Sequence, residues 1–357
     1  MASEQHTESP ASSPYERMQF FLRQIGQGPK GARDLTREEA SEALGLVLER
    51  AVPDAQIGGF LLLERFKGES AGELLGFADA LRARSAHIAP QVEGLLDVGS
   101  PYDGRNDYLV ISPAASIVAV AAGAAIVMHG EKDLAPKHGV GVIDVLEALG
   151  VDVEAPPEAV QRSIEEMGFG FLRQRVFSPR LFALRDLRDE IALRSNLNTI
   201  EKLYNLAGAQ YSIIGLTHMP YMEKMLEAAR GMGFRRVLLV QGLEGNEDAP
   251  THRPCRLFDC SEAGVEESRL NPADYGLTPA MPEDLAPGDA RHNAEVLQTV
   301  LEGRASAALS DIVAYNAGIR LFASGRVAGI EAGLTAAREA IASGAALRKL
   351  QELRQRA

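Results

Sequence analysis

YLVISPAASIVAVAAGAAIVM, residues 108–128, is the most apolar stretch of the chain, and its reading decides the fold. Ser112, Pro113 and Ser116 interrupt it, so no run of about 18 apolar residues survives to span a membrane. It divides instead into a strand at Leu109-Val110-Ile111, a buried helix from Ala114 to Ala122, and a second strand at Ala125-Ile126-Val127. A helix between two closely spaced strands is a crossover unit, which belongs to a parallel sheet with helices on its faces. The same alternation continues outward. A helix over 142–149 stops at Gly150, and Ser212-Ile213-Ile214-Gly215 reads as a strand. Residues 221–230 read as a helix, and Arg236-Val237-Leu238-Leu239-Val240 as another strand. Residues 245–290, rich in Pro, Gly and acids, read as loop or hairpin, and the chain turns helical again from Asn293.

Toward the N-terminus the texture is purely helical. Thr36 and Glu39 form a capping box before Ala40, Leu44, Val47 and Leu48 at helical spacing, and Pro53 closes that helix. Further helices are expected over 56–66 and 71–84, with Pro90 ending the block. The predicted organisation is a disordered tail (1–15), a small helical domain (16–90) and a larger α/β domain (91–357) with a mostly parallel central sheet flanked by helices. The Ser-, Glu- and Pro-rich start lacks the apolar centre of a signal peptide. Two cysteines, Cys255 and Cys260, make no disulfide framework, so a reducing cytoplasm is the default expectation. Neither they nor His252 match a zinc spacing. The formal charge of −12 argues against coating nucleic acid through bulk charge. It leaves room for a local basic groove. The run Arg173, Arg175, Arg180, Arg185, Arg188, Arg194 and Lys202 is the candidate.

With these elements in place, the sequence resembles the anthranilate phosphoribosyltransferase family from about Met18 onward. The shared stretches include residues 34–40, 55–61, 67–70 and 144–150, then Gly288-Asp289-Ala290, Asn293-Ala294, Asp311-Ile312-Val313 and Asn316-Ala317. These are packing and turn motifs, specific for fold rather than chemistry. The resemblance implies a homodimer whose helical domain is hinged on the α/β domain, with ligands in the cleft between them. It also implies phosphoribosyl transfer from phosphoribosyl pyrophosphate to an aromatic amine, with Mg²⁺ on the pyrophosphate.

The donor motifs of that family are largely rewritten. Its Gly-Thr-Gly-Gly-Asp-Gly loop reads here Gly99-Ser100-Pro101-Tyr102-Asp103-Gly104-Arg105. Pro101 has no N–H to donate and Tyr102 brings a bulky ring. The family's Asn-Ile-Ser-Thr is Val110-Ile111-Ser112-Pro113, keeping Ser112 alone. Lys-His-Gly-Asn-Arg is Met128-His129-Gly130-Glu131-Lys132. There Glu131 is expected to repel a pyrophosphate, and Lys132 keeps charge without a bidentate fork. The donor-binding candidates are therefore Gly99, Ser100, Asp103, Gly104, Ser112, His129, Gly130 and Lys132. Acceptor or groove candidates are Arg188, Arg194 and Lys202; the proline that lines the family's acceptor pocket is missing. The metal-binding acids map loosely onto Glu247 and Asp248, for which an acidic surface turn is the plainer expectation.

A diverged second branch of the family, similar in its Ala32-Arg33-Asp34-Leu35, in Tyr102-Asp103-Gly104-Arg105 and in a His129-Gly130 without the lysine, resembles a set of dimeric nucleic-acid-binding proteins. Two functions stay open on the sequence. One is a homodimer that binds nucleic acid, or another polyanion, in a basic groove without a cofactor. The other is an active Mg²⁺-dependent pentosyltransferase using a phosphorylated small molecule. Neither involves a membrane.

Overall fold

The computed structural model describes residues 13–28, 30–217 and 219–355. Most of the expected tail lies outside them. Pro14 and Tyr15, assigned to that tail, instead open helix α1 (Pro14–Ile25), which Ser13 and Glu16 hold in a capping box. The helical block continues through α2 (Arg37–Leu48), α3 (Asp54–Lys67) and α4 (Ala71–Arg82). The Thr36–Glu39 capping box is present, and Ser70 with Glu73 forms another at α4.

The α/β part opens with β1 (Leu95–Gly99), α5 (Ser112–Ala121), β2 (Ala125–Gly130), α6 (Val142–Ala148), α7 (Pro157–Met167) and β3 (Phe169–Arg173). Four short helices follow: α8 (Gln174–Phe177), α9 (Pro179–Phe182), α10 (Arg185–Ile191) and α11 (Asn196–Ile200). Then come β4 (Tyr211–Gly215), α12 (Met222–Gly231), β5 (Arg236–Val240), and the hairpin β6 (Cys255–Ser261) and β7 (Gly264–Leu270). Helices α13 (Ala290–Leu301), α14 (Ala307–Ala323), α15 (Ile330–Ala342) and α16 (Ala345–Gln355) complete the chain. No helix among the described residues is long and apolar enough to cross a membrane.

The strands form one sheet in the order β3-β2-β1-β4-β5-β6-β7. Pairs from β3 to β5 are parallel, and β6 and β7 join antiparallel. The fold class expected from the alternation is thus observed, but one of its strands is not. Leu109-Val110-Ile111 is buried yet makes no ladder. Leu109 N–H donates to the Leu285 carbonyl at 2.9 Å and Val110 N–H to Asn293 Oδ1 at 2.7 Å. The segment is an extended lead into α5; the strand before that helix is β1.

Period-two alternation sends the sheet's side chains into two cores. Leu96, Val98, Ile126 and Met128 pack under α5, α6 and the C-terminal helices. Leu95, Val127, Leu172 and Ile214 pack on the other side, in a core shared with α1–α4 and α12. The helical domain therefore sits on one face of the sheet. Its α4 also packs against α11 and α12 from the α/β part. Arg65 in α3 donates to the Arg194 carbonyl at 2.6 Å, tying the two parts together.

Candidate functional site

The chain runs β1, β2, β3 to one side of the sheet and then returns to place β4 and β5 on the other side of β1. Between β1 and β4 the connections diverge, and a crevice opens beyond the carboxyl ends of those strands. There a cleft of about 350 Å³ lies between the α/β part and the helical domain. Pro101, Tyr102 and Asp103 from the loop after β1 line it, with Leu216 and Thr217 after β4. Arg65 and Glu69 close it from the helical domain, Tyr221 from the turn before α12, and Arg194, Asn198 and Lys202 from the α10–α11 segment.

The loops around this crevice are fastened to one another. Arg105 and Val140 exchange both backbone hydrogen bonds, at 3.0 and 3.1 Å. Gly104, at φ +74°, lies where a Cβ would meet the Gly139 carbonyl carbon at 2.3 Å, so only glycine fits. Glu244 accepts from the N–H groups of Asn106 and Asp107, at 3.4 and 3.2 Å, and pairs with Lys137 at 3.1 Å.

Below the loop after β1 lies a buried ionic cluster. Asp248 receives Arg105 on Oδ2 at 2.7 Å and Arg320 on Oδ1 at 2.9 Å. Glu247 Oε1 accepts from Ser112 at 2.5 Å and also from Ser100. Arg105 and Arg320 stand 3.5 and 3.6 Å from the same oxygen. Burial works against the Asp248 carboxylate, but the two guanidiniums overcome it and hold its pKa below the ordinary value. Glu247 and Asp248 are both 0% exposed, so the expected acidic surface turn is corrected. Arg320 comes from α14, one helical turn beyond Asn316, whose side chain bonds both the N–H and the carbonyl of Ala249, at 2.7 and 2.9 Å. Asn316 and Asn293, part of the family resemblance, are thus clamps on neighbouring loops.

The Mg²⁺ expected at this acid pair does not fit. Three of the four carboxylate oxygens face donors and only Glu247 Oε2 has none. Two acids already face two guanidiniums, and Mg²⁺ asks for near-octahedral oxygens at about 2.1 Å. Each unit of added positive charge about 4 Å from a guanidinium would meet a repulsion on the order of 4 kcal/mol at an effective dielectric of 20. Among the described residues, no group of three or more His, Cys, Asp and Glu side chains is arranged to hold a metal ion.

A second buried cluster separates His129 from the cleft. Asp97 and His129 project from the same face of β1 and β2, and His129 Nε2 lies 2.9 Å from Asp97 Oδ1. The Tyr102 ring lies 5.4 Å from the imidazole, and its hydroxyl lies 3.2 Å from that of Tyr204. Burial drives the Tyr102 phenol well above its ordinary pKa and pushes Tyr204 up to about 12. Tyr102 is 5% exposed and roofs His129, whose Nδ1 has no partner among the described residues. His129 is therefore a buried strand histidine rather than a phosphate contact.

The remaining predicted residues divide sharply. Gly99, Ser100, Asp103, Gly104, Ser112, Glu247 and Asp248 gather around the crevice, but of these Asp103 alone lines it, bonded to Arg194 at 2.7 and 3.0 Å. Gly130 ends β2 against Phe171 and Val142. Lys132 pairs outward with Glu147, and Glu131 turns away to Arg173 at 2.9 Å, so neither reaches the cleft. The repulsion expected from Glu131 is cancelled within the chain. Arg188 is buried against Glu201, with one contact at 3.2 Å, and lines no groove. The Lys202 side chain makes no hydrogen bond or ion pair among the described residues and the residue lines the cleft; burial and Arg194 lower its pKa against the pull of Asp103, Glu247 and Glu201.

The expected basic groove is corrected too. Arg173 and Arg175 pair with Glu154, Arg185 with Asp133, Arg188 with Glu201 and Arg194 with Asp103. Most of these acids are distant in sequence, so the run looks cationic only when read along the chain. Residues that sequence reasoning missed are Arg320, Glu201, Tyr204 and Asp97. The signal for Arg320 was an arginine in the mostly apolar run that follows Asp311 in α14, since such a charge is buried only when paired.

With the two-domain fold and its switch-point cleft described, the comparison with known proteins is direct. Residues 99–347 match the glycosyl transferase family a/b domain, and residues 19–85 its helical bundle domain. The chain belongs to this glycosyl transferase family. It is 34% identical over 332 residues to the anthranilate phosphoribosyltransferase of Rubrobacter xylanophilus, covering 93% of this chain and 96% of that one. It is 36% identical over 322 residues to that of Solibacter usitatus, covering 89% and 94%. Among solved structures, anthranilate phosphoribosyltransferase from Thermus thermophilus superposes with a TM-score of 0.82 at 31% identity, covering 95% of this chain and 98% of that one. The Saccharomyces cerevisiae enzyme, in complex with phosphoribosyl pyrophosphate and Mg, shares the fold at 20% identity and a TM-score of 0.84, covering 96% and 98%.

Proposed function

We propose that this member of the family is a pentosyltransferase that takes a phosphorylated small molecule, phosphoribosyl pyrophosphate, in the interdomain cleft and transfers its phosphoribosyl group to an aromatic amine such as anthranilate. The observation that carries this reading is Lys202, a lysine in no ion pair that lines the cleft at the switch point. No carboxylate lies within ion-pair distance of it, Asp103, Glu247 and Glu201 acting only from further off, so an anionic ligand gains a charge-assisted contact worth about 1.5–3 kcal/mol. Asn198 and Thr217 add uncharged hydrogen-bonding groups on the same walls. The relatives' names support the reaction class, and they support the transferase reading over the nucleic-acid one, most of whose arginines are already paired.

The grip on the donor differs from the one the resemblance implies. The loop after β1 offers no open glycine cradle, since Pro101 supplies no N–H and Tyr102 packs inward against His129. Anion binding falls to Lys202, and to Arg194 and Arg65 at the rim. Catalysis in such a site rests on positioning and charge neutralisation rather than on a covalent step.

Mixing the protein with phosphoribosyl pyrophosphate and anthranilate, and following loss of anthranilate fluorescence together with pyrophosphate release, tests the reaction. Turnover that disappears in Lys202→Met supports it. Donor binding without turnover would remove anthranilate as the acceptor, and absence of donor binding would remove the reading. We further propose that the chain forms a homodimer through the helical domain, which leaves Tyr15, Phe20 and Phe66 exposed. Sedimentation equilibrium showing a monomer would refute that assembly.

A further inference from the structure

We infer that Arg105 is a built-in counter-ion: with Arg320 it takes up the charge of Glu247 and Asp248, so this acid pair holds no divalent cation. A guanidinium, not a metal, joins the loop after β1 to the loop after β5. The two oxygens of Asp248 are divided between two arginines from unrelated elements, Arg105 in the loop and Arg320 in α14, at 2.7 and 2.9 Å. Such a division leaves neither oxygen without a donor. Glu247 Oε1 accepts from two serine hydroxyls, Ser100 just after β1 and Ser112 at the start of α5.

The Arg105 backbone is anchored and its side chain is buried. Its N–H and carbonyl are both bonded to Val140, at 3.0 and 3.1 Å, and its backbone nitrogen lies 2.6 Å from where a Cβ on Gly139 would stand. Its side chain is 2% exposed. The guanidinium is permanently charged and forks to meet carboxylates, whereas Mg²⁺ would need a rebuilt shell of oxygens. Any anion entering the cleft is therefore gripped without a metal anchored on this acid pair. The inference concerns the acid pair itself and does not depend on which ligand the cleft takes.

The test uses the full chain and Mn²⁺ alone, with bound ion read from loss of the free aqua-ion signal in electron paramagnetic resonance. The wild-type protein is expected to show no Mn²⁺ that depends on Glu247. Arg105→Ala, checked for folding by circular dichroism, is expected to acquire a Mn²⁺ site and to melt at a higher temperature in Mn²⁺ than in EDTA. Adding Glu247→Gln to that variant should abolish both effects. Wild-type Mn²⁺ binding that Glu247→Gln removes would overturn the inference. So would a folded Arg105→Ala that takes up no ion. Wild-type binding unchanged by Glu247→Gln lies elsewhere and agrees with it. If Arg105→Ala does not fold, the comparison of wild type with Glu247→Gln decides alone.

Discussion

At the residue scale, three residues carry the account. Arg105 is paired and buried, so removing it leaves Asp248 and Glu247 short of one positive charge. A buried pair broken on one side typically costs about 3–5 kcal/mol. Arg105→Ala is expected to lower the unfolding free energy in urea by that amount in metal-free buffer, and a loss under about 1 kcal/mol would show that the cluster is solvated. Lys202 behaves in the opposite way. It satisfies no internal partner, so Lys202→Met should leave stability nearly unchanged while weakening binding of a phosphorylated ligand about 10- to 100-fold. A melting temperature that falls sharply with this change would mean that Lys202 is structural. Gly104 is the third. With φ at +74° and the Gly139 carbonyl carbon 2.3 Å from where an added Cβ would stand, Gly104→Ala must separate the two loops. Its expected cost is about 1–3 kcal/mol by chemical denaturation, and a neutral change would contradict the packing described. None of these roles was plain in the sequence. Glycine and arginine were visible in the loop after β1, but their partners, Gly139, Asp248 and Arg320, lie far along the chain.

At the scale of elements, α3 holds an ionisable group that titrates near neutrality. Glu64 is fully buried, neither oxygen has a hydrogen-bond donor among the described residues, and Lys67 is 3.4 Å away. Burial, reinforced by Glu73, pushes its pKa up to about 8 from an ordinary 4.5. Here the folded pKa lies above the unfolded one, so the folded state holds the proton more tightly. The stability this contributes is full below about 4.5 and is lost as pH rises through about 8. The slope reaches at most about 1.4 kcal/mol per pH unit. Glu64→Gln removes it, so the variant's melting temperature relative to wild type should climb between those two values. A flat difference would show that Glu64 is ionised in the fold. Elements were also where the sequence spoke most clearly. Val237 to Val240 and the α2 capping box announced themselves through periodicity and local hydrogen bonding, which need no distant partner. Leu109-Val110-Ile111 misled because an apolar, β-branched run records burial, and burial alone does not distinguish a paired strand from an extended lead into a helix. Phe169–Arg173 escaped for a related reason: two glycines, Gly168 and Gly170, broke the apolar pattern of what became the edge strand β3.

At the scale of the whole molecule, the alternation of strands and helices was enough to foretell a mostly parallel sheet flanked by helices, and the capped helices before it a small helical domain. What it could not foretell is charge placement. Five of the six arginines in the run from Arg173 to Arg194 meet carboxylates brought by other elements, and the site expected to bind a metal is closed by the chain's own cations. The remaining site is the interdomain cleft, lined by a lysine that makes no ion pair. Isothermal titration calorimetry of the full chain with phosphoribosyl pyrophosphate, run in EDTA and again in Mg²⁺, with Lys202→Met alongside, tests this most directly. The account predicts saturable binding that persists in EDTA and is weakened by the lysine change. No heat in either buffer, or equal binding by wild type and Lys202→Met, would contradict it.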